Sequence, residues 1–291
     1  MKKTLHPLIS GTLLLTAAGL TTRLIGFFYK IFLSRTIGAE GIGIYQMIFP
    51  IYGVCYGLTT SGAEIAVSRF VSRENGAGRR RSARLVLTIG LGLSLGLAIP
   101  TAFLLYANAA FLARHMLQET RTVQLLQIMA LTIPFGACHS CICGYYYGCK
   151  KPAVPAAAQL FEQLSRVSAV FLIYRVSSEQ GRSLSPLTAV VGLVIGEFAS
   201  MLFCIFFASG EYASPGKWAD GPAAPSPLSL ARQMCSLALP VTGNRLCMNL
   251  LASAESILLP LCLQQYGLSA EQALSVYGTL SPLFFNSSMV F

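Results

Sequence analysis

Long apolar segments separated by short polar stretches cover almost the whole chain. Each segment approaches or exceeds the roughly 20 apolar residues that a helix needs to cross a bilayer. The segments lie at about residues 8–34, 44–70, 84–107, 122–148, 157–176, 187–209, 229–263 and 273–291. The pattern predicts an all-α polytopic membrane protein with eight helices, of which the seventh is long enough to be tilted or broken.

Composition agrees with this class of protein. Of the 291 residues, 54% are apolar and 11% are charged, and the mean hydropathy is +0.61. A soluble domain carries about 25% charged residues. The basic, signal-like N-terminus is followed by an apolar run that continues past Arg23 to about Leu33, which is too long for an ordinary signal peptide. We therefore expect an uncleaved first helix.

The basic residues divide unequally between the two sides of the predicted bundle. With the N-terminus inside, twelve lie on the inner side and five on the outer side. The positive-inside rule then predicts a protein of the cell membrane with a cytoplasmic N-terminus. Topology and contact with anionic lipids account for the net charge of +10, so we expect no nucleic-acid partner. The inner set is Lys2, Lys3, Arg69, Arg73, Arg79, Arg80, Arg81, Arg84, Lys150, Lys151, Lys217 and Arg232. The outer set is Arg35, Arg114, Arg121, Arg175 and Arg182.

Two parts of the chain share a sparse pattern. Thr-Arg-Leu at 22–24 resembles Asn-Arg-Leu at 244–246, and an Ala-Glu pair and a Tyr–Pro spacing follow each copy. We interpret this as an internal repeat, which in transporters places the binding site between the two halves. The predicted domains are an N-terminal lobe of about six helices at 1–210, a cytoplasmic linker at 211–228 and the first two helices of a second lobe at 229–291. On this interpretation the second lobe is incomplete and the chain is truncated.

Basic residues inside the predicted helices are candidate substrate ligands, because a charge at the bilayer centre costs at least ~2.5–3.5 kcal/mol. Arg23 and Lys30 lie about two turns apart on one face of the first helix, and Arg245 occupies the corresponding helix of the second lobe. The three residues could line one cavity and bind a diphosphate, with arginine contacting it bidentately. The alternatives are a buried ion pair for Arg23 and snorkelling to the interface for Lys30.

Four glutamates in the apolar segments are candidate partners or coupling groups. Glu162 and Arg166 are spaced i,i+4 and can pair along one helix face. Glu64, near the inner end of the second helix, is the first candidate to bind a proton or cation. Spacing gives no partner to Glu197 or Glu255, and either could titrate during transport.

Small residues recur at every fourth position in the second and sixth predicted helices, which is typical of closely packed membrane helices. They are Gly53, Gly57 and Ser61, and Gly192, Gly196 and Ser200.

The segment Cys138–Cys143, "CHSCIC", contains the residue types of a zinc site, but its spacing matches no standard zinc signature. We interpret these residues as small buried side chains and predict no metal and no other cofactor. The sequence has no Walker A loop, one aspartate and three histidines. These leave little for an ATPase, a metal-dependent transferase or a hydrolase, so we do not expect an enzyme.

Residues 21–76, from "TTRLIGFFYK" to "SRENG", resemble the opening of stage V sporulation protein B and its relatives. These are polysaccharide-biosynthesis transporters of the multidrug/oligosaccharidyl-lipid/polysaccharide exporter superfamily. "EQLSRV" at 162–167, "TGNRLCMNLLASAESILLP" at 242–260 and "YGTLSPLFF" at 277–285 fit the same family.

The resemblance implies a two-lobed helical bundle with a central cavity that flips undecaprenyl-diphosphate-linked sugars, including peptidoglycan precursors, in cell-wall or spore-cortex synthesis. Arg23 matches a cavity arginine of the relatives, and Lys30 is the nearest counterpart of a second basic residue. The implied partners are the lipid-linked sugar and wall-synthesis proteins. Two alternatives stay open: a cation-coupled multidrug exporter of the same superfamily, and a non-transporting membrane scaffold for wall-synthesis enzymes.

Overall fold

The computed structural model describes residues 7–179, 184–212 and 226–267, together with positions 269, 272, 273, 275 and 276. Every regular element in these ranges is an α-helix, which confirms the predicted all-α architecture. The helices are α1 (Pro7–Met47), α2 (Phe49–Gly76), α3 (Arg80–Ala107), α4 (Ala109–His115), α5 (Thr122–Ala130), α6 (Thr132–Gly148), α7 (Ala153–Glu179), α8 (Pro186–Tyr212) and α9 (Pro227–Gln265).

Four helical stretches of the described chain are long and apolar enough to cross a membrane. They are Gly11–Gly76, which contains most of α1 and all of α2, and Arg80–Ala107, Thr122–Gly148 and Pro186–Gly210. Their outer faces expose large apolar side chains such as Leu20, Phe103 and Phe206. Such faces suit lipid, and the helices satisfy their own backbone polar groups as the bilayer requires. The chain is a multi-pass membrane protein.

Helix α1 extends beyond the predicted end at residue 34 and contains one sharp kink. Gly38 has φ 75° and ψ 168°, whereas the turns on both sides are helical. Only glycine adopts this conformation without strain, because it has no Cβ atom. The kink therefore lets one long segment change direction and continue to Met47.

The predicted fourth segment, 122–148, forms two helices. Leu131 separates α5 from α6, and its N–H donates to the Ile128 carbonyl in a tighter i→i−3 bond. Pro134 lies three residues later and has no N–H to donate to the carbonyl of Ala130. Together with the short helix α4, this break gives eight helices from α1 to α8 in the described residues, where six were predicted.

Helix α2 lies at the centre of the packing. It contacts α3, α6 and α9, whereas α1 packs mainly against α7 and α8, which also pack against each other. Glycines permit the closest approaches: a Cβ on Gly144 of α6 would lie 2.5 Å from the Glu64 carbonyl oxygen of α2. The main apolar cores join α2, α3, α6 and α8, and Leu230 and Met234 connect α9 to one of them.

The predicted division into lobes falls partly outside the described residues. Helix α8 ends at Tyr212 and α9 begins at Pro227, so most of the predicted linker 211–228 is not described. The same holds for most of the last apolar segment, 273–291, and for the second copy of the Ala-Glu and Tyr–Pro pattern. The domain boundaries stay a prediction.

Candidate functional site

Arg23 and Lys30 lie on one flank of α1. Seven residues are close to two full turns of an α-helix, so the two side chains leave the helix in nearly the same direction. Arg23 is exposed and Lys30 is half-buried. Next to this flank, Thr22, Tyr29 and Leu33 are buried. Neither cation has an ion-pair partner among the described residues, so the buried ion pair considered for Arg23 is not found there.

Arg245 lies half-buried on α9 and is not in contact with Arg23. Helix α9 packs against α2 and α3, whereas α1 packs against α7 and α8. Arg245 is close enough to Glu64 of α2 for the two charges to interact. The structure thus brings Arg245 and Glu64 together and leaves Arg23 and Lys30 as a separate pair.

Glu64 lines an open cavity of about 580 Å³ between α2 and α6. Arg69 and Arg73 follow it on α2 and bring positive charge to the same space. Arg73 is held in place, since its guanidinium stacks on Phe70 at 4.6 Å and Nη1 donates to Gln233 Oε1 at 3.1 Å. The full lining is Glu64, Ile65, Ser68, Arg69, Ser72, Arg73 and Tyr147. With two cations, two hydroxyls and a tyrosine, the cavity suits an anionic headgroup.

Glu162 and Arg166 form an ion pair along one turn of α7, between Arg166 Nη2 and Glu162 Oε1. Their side chains are 17% and 19% exposed, so the pair is largely shielded. Helix α8 approaches the pair through Gly196, where a Cβ would lie 3.0 Å from the Glu162 carbonyl oxygen. The small-residue pattern of α8 therefore makes room for this charged pair.

A second buried polar contact, which sequence spacing could not reveal, links α6 to α8. His139 Nδ1 lies 3.8 Å from Glu197 Oε2, and Nε2 of the same ring lies 3.2 Å from Ser200 Oγ. Glu197 has no neighbour of opposite charge along its own helix. Its partner comes from a residue 58 positions earlier, so the signal lies only in the tertiary structure.

The candidate metal ligands fall into two overlapping groups. The donor atoms of His139, Cys143 and Cys204 lie within 4.8 Å of one another, and so do those of His139, Glu162 and Glu197. Only two residues of the "CHSCIC" segment take part, because residues four apart share a helix face. The third ligand of the first group, the Cys204 thiol, comes from α8.

Ion pairs stabilise the turns between helices at both ends of the bundle. Between α2 and α3, the fully buried Glu74 accepts from Arg73 at 3.1 Å and from Arg79 Nε at 2.8 Å. At the other end, Arg121 Nη1 reaches Glu40 at 2.7 Å and Nη2 reaches Glu119 at 2.8 Å. The hydrogen bonds from Arg121 hold the pKa of the Glu119 carboxyl below its usual value.

The sequence profile of the family described as "Polysaccharide biosynthesis protein" matches residues 8–287. The chain belongs to this family. Among polysaccharide biosynthesis proteins and related sequences, stage V sporulation protein B of Bacillus subtilis (strain 168) is 29% identical over 277 residues, which are 94% of this chain and 53% of that protein. Lipid II flippase MurJ of the same organism is 27% identical over 207 residues, which are 67% of this chain and 38% of that protein.

Solved structures show that this family member has the fold of the superfamily's transporters. An inward-facing MATE family transporter of the MOP superfamily aligns with a TM-score of 0.70 at 17% identity, covering 91% of this chain and 58% of that one. A MOP superfamily transporter from Pyrococcus furiosus aligns with a TM-score of 0.69 at 14% identity, covering 94% and 62%. The predicted exporter-like fold is confirmed. The chain spans about half the length of the curated relatives that it matches.

Proposed function

We propose that this chain forms part of a flippase that moves undecaprenyl-diphosphate-linked oligosaccharide or peptidoglycan precursor across the cell membrane. The observation that carries the proposal is Arg23, an exposed cation in a membrane-spanning helix without a carboxylate partner among the described residues. A charge at the bilayer centre costs at least ~2.5–3.5 kcal/mol and so marks a candidate functional site, and the positive charge of Arg23 fits an anionic substrate. The names of two relatives, a sporulation protein and a lipid II flippase, support a role in wall or spore-cortex synthesis.

Arg23, Lys30 and Arg245 are the proposed ligands of the diphosphate. Arginine matches phosphate oxygens with two parallel hydrogen bonds, whereas lysine supplies a point charge. Arg23 follows Pro7, the first residue of α1, by 16 positions, and Arg245 follows Pro227, the first residue of α9, by 18. This similar position along two long helices supports corresponding roles for the two arginines in the two halves. Lys30 would act either there or at the outer interface.

Glu64 is the proposed coupling group. It lines the cavity with Arg69 and Arg73, and the charge of Arg245 acts on it from α9. A carboxylate between these cations can exchange its interaction with arginine for a proton or a metal cation when the substrate anion arrives. The Glu162–Arg166 pair on α7 has a structural role or takes part in the same coupling.

The rest of the proposal concerns topology and partners. The N-terminus is cytoplasmic, and the basic α2–α3 loop contacts anionic lipids at the inner face. Wall-synthesis proteins are the proposed protein partners. Transport of this kind requires no bond to be made or broken, so the chain is not proposed to be an enzyme.

A cation-coupled drug exporter is the second candidate, because MATE transporters share the fold and because Glu162, Glu197 and His139 form a shielded cluster. The exposed cations on α1 weigh against this candidate, because such exporters usually carry cationic drugs. The third candidate is a scaffold for wall-synthesis enzymes, a role that requires neither the α1 cations nor the buried cluster.

The test compares Arg23→Ala, Arg23→Lys and the control Arg175→Ala, which removes an exposed arginine from α7. Each chain is reconstituted in vesicles, and outward movement of a fluorescent undecaprenyl-diphosphate-linked sugar is measured. We expect Arg23→Ala to abolish movement, Arg23→Lys to retain a small part of it and Arg175→Ala to leave it unchanged. Equal movement in all three would overturn the proposed role of Arg23. Movement of cationic dyes alone would favour the exporter.

A further inference from the structure

Three soft metal ligands meet in the described core of the bundle. His139 and Cys143 lie one turn apart on α6, and α8 brings Cys204 to the same place. The two sulfur atoms are 4.0 Å apart. A tetrahedral zinc ion with Zn–S bonds of about 2.3 Å holds its sulfur ligands roughly 3.8 Å apart. The thiols therefore already have the spacing that such an ion requires.

The histidine ring is oriented for ligation through Nε2. Its Nδ1 faces Glu197, so a proton on Nδ1 can be directed at that carboxylate while Nε2 is left for a metal. Ser200 Oγ, which now lies 3.2 Å from Nε2, has a second partner within reach in the Ala158 carbonyl oxygen at 3.3 Å. Ser200 can thus release the ring without losing its own hydrogen bond.

Two polar atoms at this place are buried without a hydrogen-bond partner: His139 Nδ1 and Glu197 Oε2. Glu197 is only 5% exposed, so its carboxylate is shielded from bulk water. A histidine bound to a metal commonly donates its other N–H to a carboxylate, which fixes the ring and strengthens the ligand. Metal binding at Nε2 would draw these two unsatisfied atoms into such a contact.

We infer that His139, Cys143 and Cys204 form a binding site for a soft d¹⁰ cation, with Zn²⁺ as the expected ion. Binding releases two thiol protons, and the two thiolates then neutralise the divalent charge, which lets it reside in the low-dielectric core. Sulfur ligands disfavour Na⁺, Mg²⁺ and Ca²⁺. The ion joins α6 to α8 and stabilises the bundle. The site is independent of the proposed flippase activity.

The test uses the full chain, purified in detergent under a thiol-free reductant and titrated with Co²⁺ as a spectroscopic substitute for Zn²⁺. We expect a sulfur-to-cobalt charge-transfer band in the near ultraviolet that saturates at one ion per chain and disappears when Zn²⁺ is added. Cys143→Ser and Cys204→Ser should each lose the band. Cys141→Ser, which changes a fully buried thiol of the same helix outside the cluster, should keep it.

A second variant and a second measurement keep the inference testable if the cysteine variants fold poorly. His139→Gln keeps both thiols and is expected to weaken Co²⁺ binding at least tenfold, a loss of ~1.4 kcal/mol. At the same Zn²⁺ concentration, the melting temperatures of the wild type and of Cys141→Ser should rise by more than that of His139→Gln. The inference is overturned if the wild type shows no band, if the Cys143→Ser/Cys204→Ser double variant keeps it, or if oxidised samples contain a Cys143–Cys204 disulfide while reduced samples bind no metal.

Discussion

Gly192 of α8 and Val170 of α7 are in direct contact, and no space remains for a side chain on the glycine. A Cβ at position 192 would overlap Val170 Cγ2 and would also lie 3.7 Å from the Tyr29 hydroxyl of α1. Val170 is fully buried. Helices α1, α7 and α8 therefore pack together at a position where only a glycine fits.

Gly192→Ala should destabilise the bundle. The added methyl must displace Val170, and overpacking of this kind costs about 1–3 kcal/mol, which exceeds the roughly 1 kcal/mol that alanine gains over glycine in a helix. We expect a lower melting temperature in detergent. The matched control is Gly92→Ala on α3, where a Cβ meets nothing within 4 Å and stability should hold or rise. Equal stability of both variants would contradict the close contact.

Arg79→Ala should weaken the α2–α3 connection more than Arg80→Ala does. Arg79 contacts the fully buried Glu74 through two nitrogens, at 2.8 Å and 3.2 Å, whereas Arg80 is exposed. Removal leaves a buried carboxylate with only Arg73, which we expect to cost about 2 kcal/mol, less than for a pair broken completely. Thermal melting of the single variants measures this difference.

A double variant separates pairing from packing at the same place. Adding Glu74→Gln to Arg79→Ala removes the buried carboxylate that has lost one of its two arginine partners and should restore part of the lost stability. If the two substitutions are simply additive, Arg79 stabilises the turn by packing rather than by charge.

Protonation of Glu119 should lower the stability of the folded protein, and it should do so only at acidic pH. Its folded-state pKa is lowered by Arg121, so the stabilisation is complete above the unfolded value of about 4.3 and is lost as the pH falls through the lower folded value. The melting temperature of the wild type should therefore exceed that of Glu119→Gln by a constant amount at neutral pH, and the gap should close below about pH 4. Glu179→Gln, which changes an exposed glutamate of α7, is the control for the loss of a carboxylate.

Arg69 should contribute to the capture of anionic headgroups. It lines the cavity beside Glu64, and it has no ion-pair partner in the described part of the chain, whereas Arg73 is already held by Glu74 and Gln233. Arg69→Gln should weaken binding of an undecaprenyl diphosphate by roughly tenfold, as expected for one charge-assisted hydrogen bond. Binding in nanodiscs measures this, and Arg175→Gln is the matched control. Unchanged affinity would show that the headgroup binds elsewhere.

Local rules predicted the helices and the contacts that lie within one helix. Apolar segment length located α2, α3 and α8, and i,i+4 spacing located the Glu162–Arg166 pair. The kink at Gly38 was not predicted, because hydropathy does not report backbone torsions. The break at Leu131 follows from the missing N–H of Pro134, a signal that the sequence does carry.

Contacts between helices could not be predicted from the sequence for a different reason. Glu197 meets His139 and Cys204 meets Cys143 only after α6 and α8 pack together, and spacing along the chain carries no signal of that pairing. For the same reason, "CHSCIC" was compared with zinc signatures that require neighbouring cysteines. The ligands instead come from successive turns of one helix and from a second helix.

The kink at Gly38 is a candidate hinge for the part of α1 that carries Arg23. Fifteen residues separate Gly38 from Arg23, and at 1.5 Å per residue the arm between them is about 22 Å long. A rotation of about 10° at that one glycine would carry the Arg23 end of the arm through about 4 Å, close to the length of one phosphate-to-arginine contact. A small backbone adjustment at Gly38 would thus be amplified into a displacement of the Arg23 end of α1 that is large enough to make or break the diphosphate contact proposed for that residue.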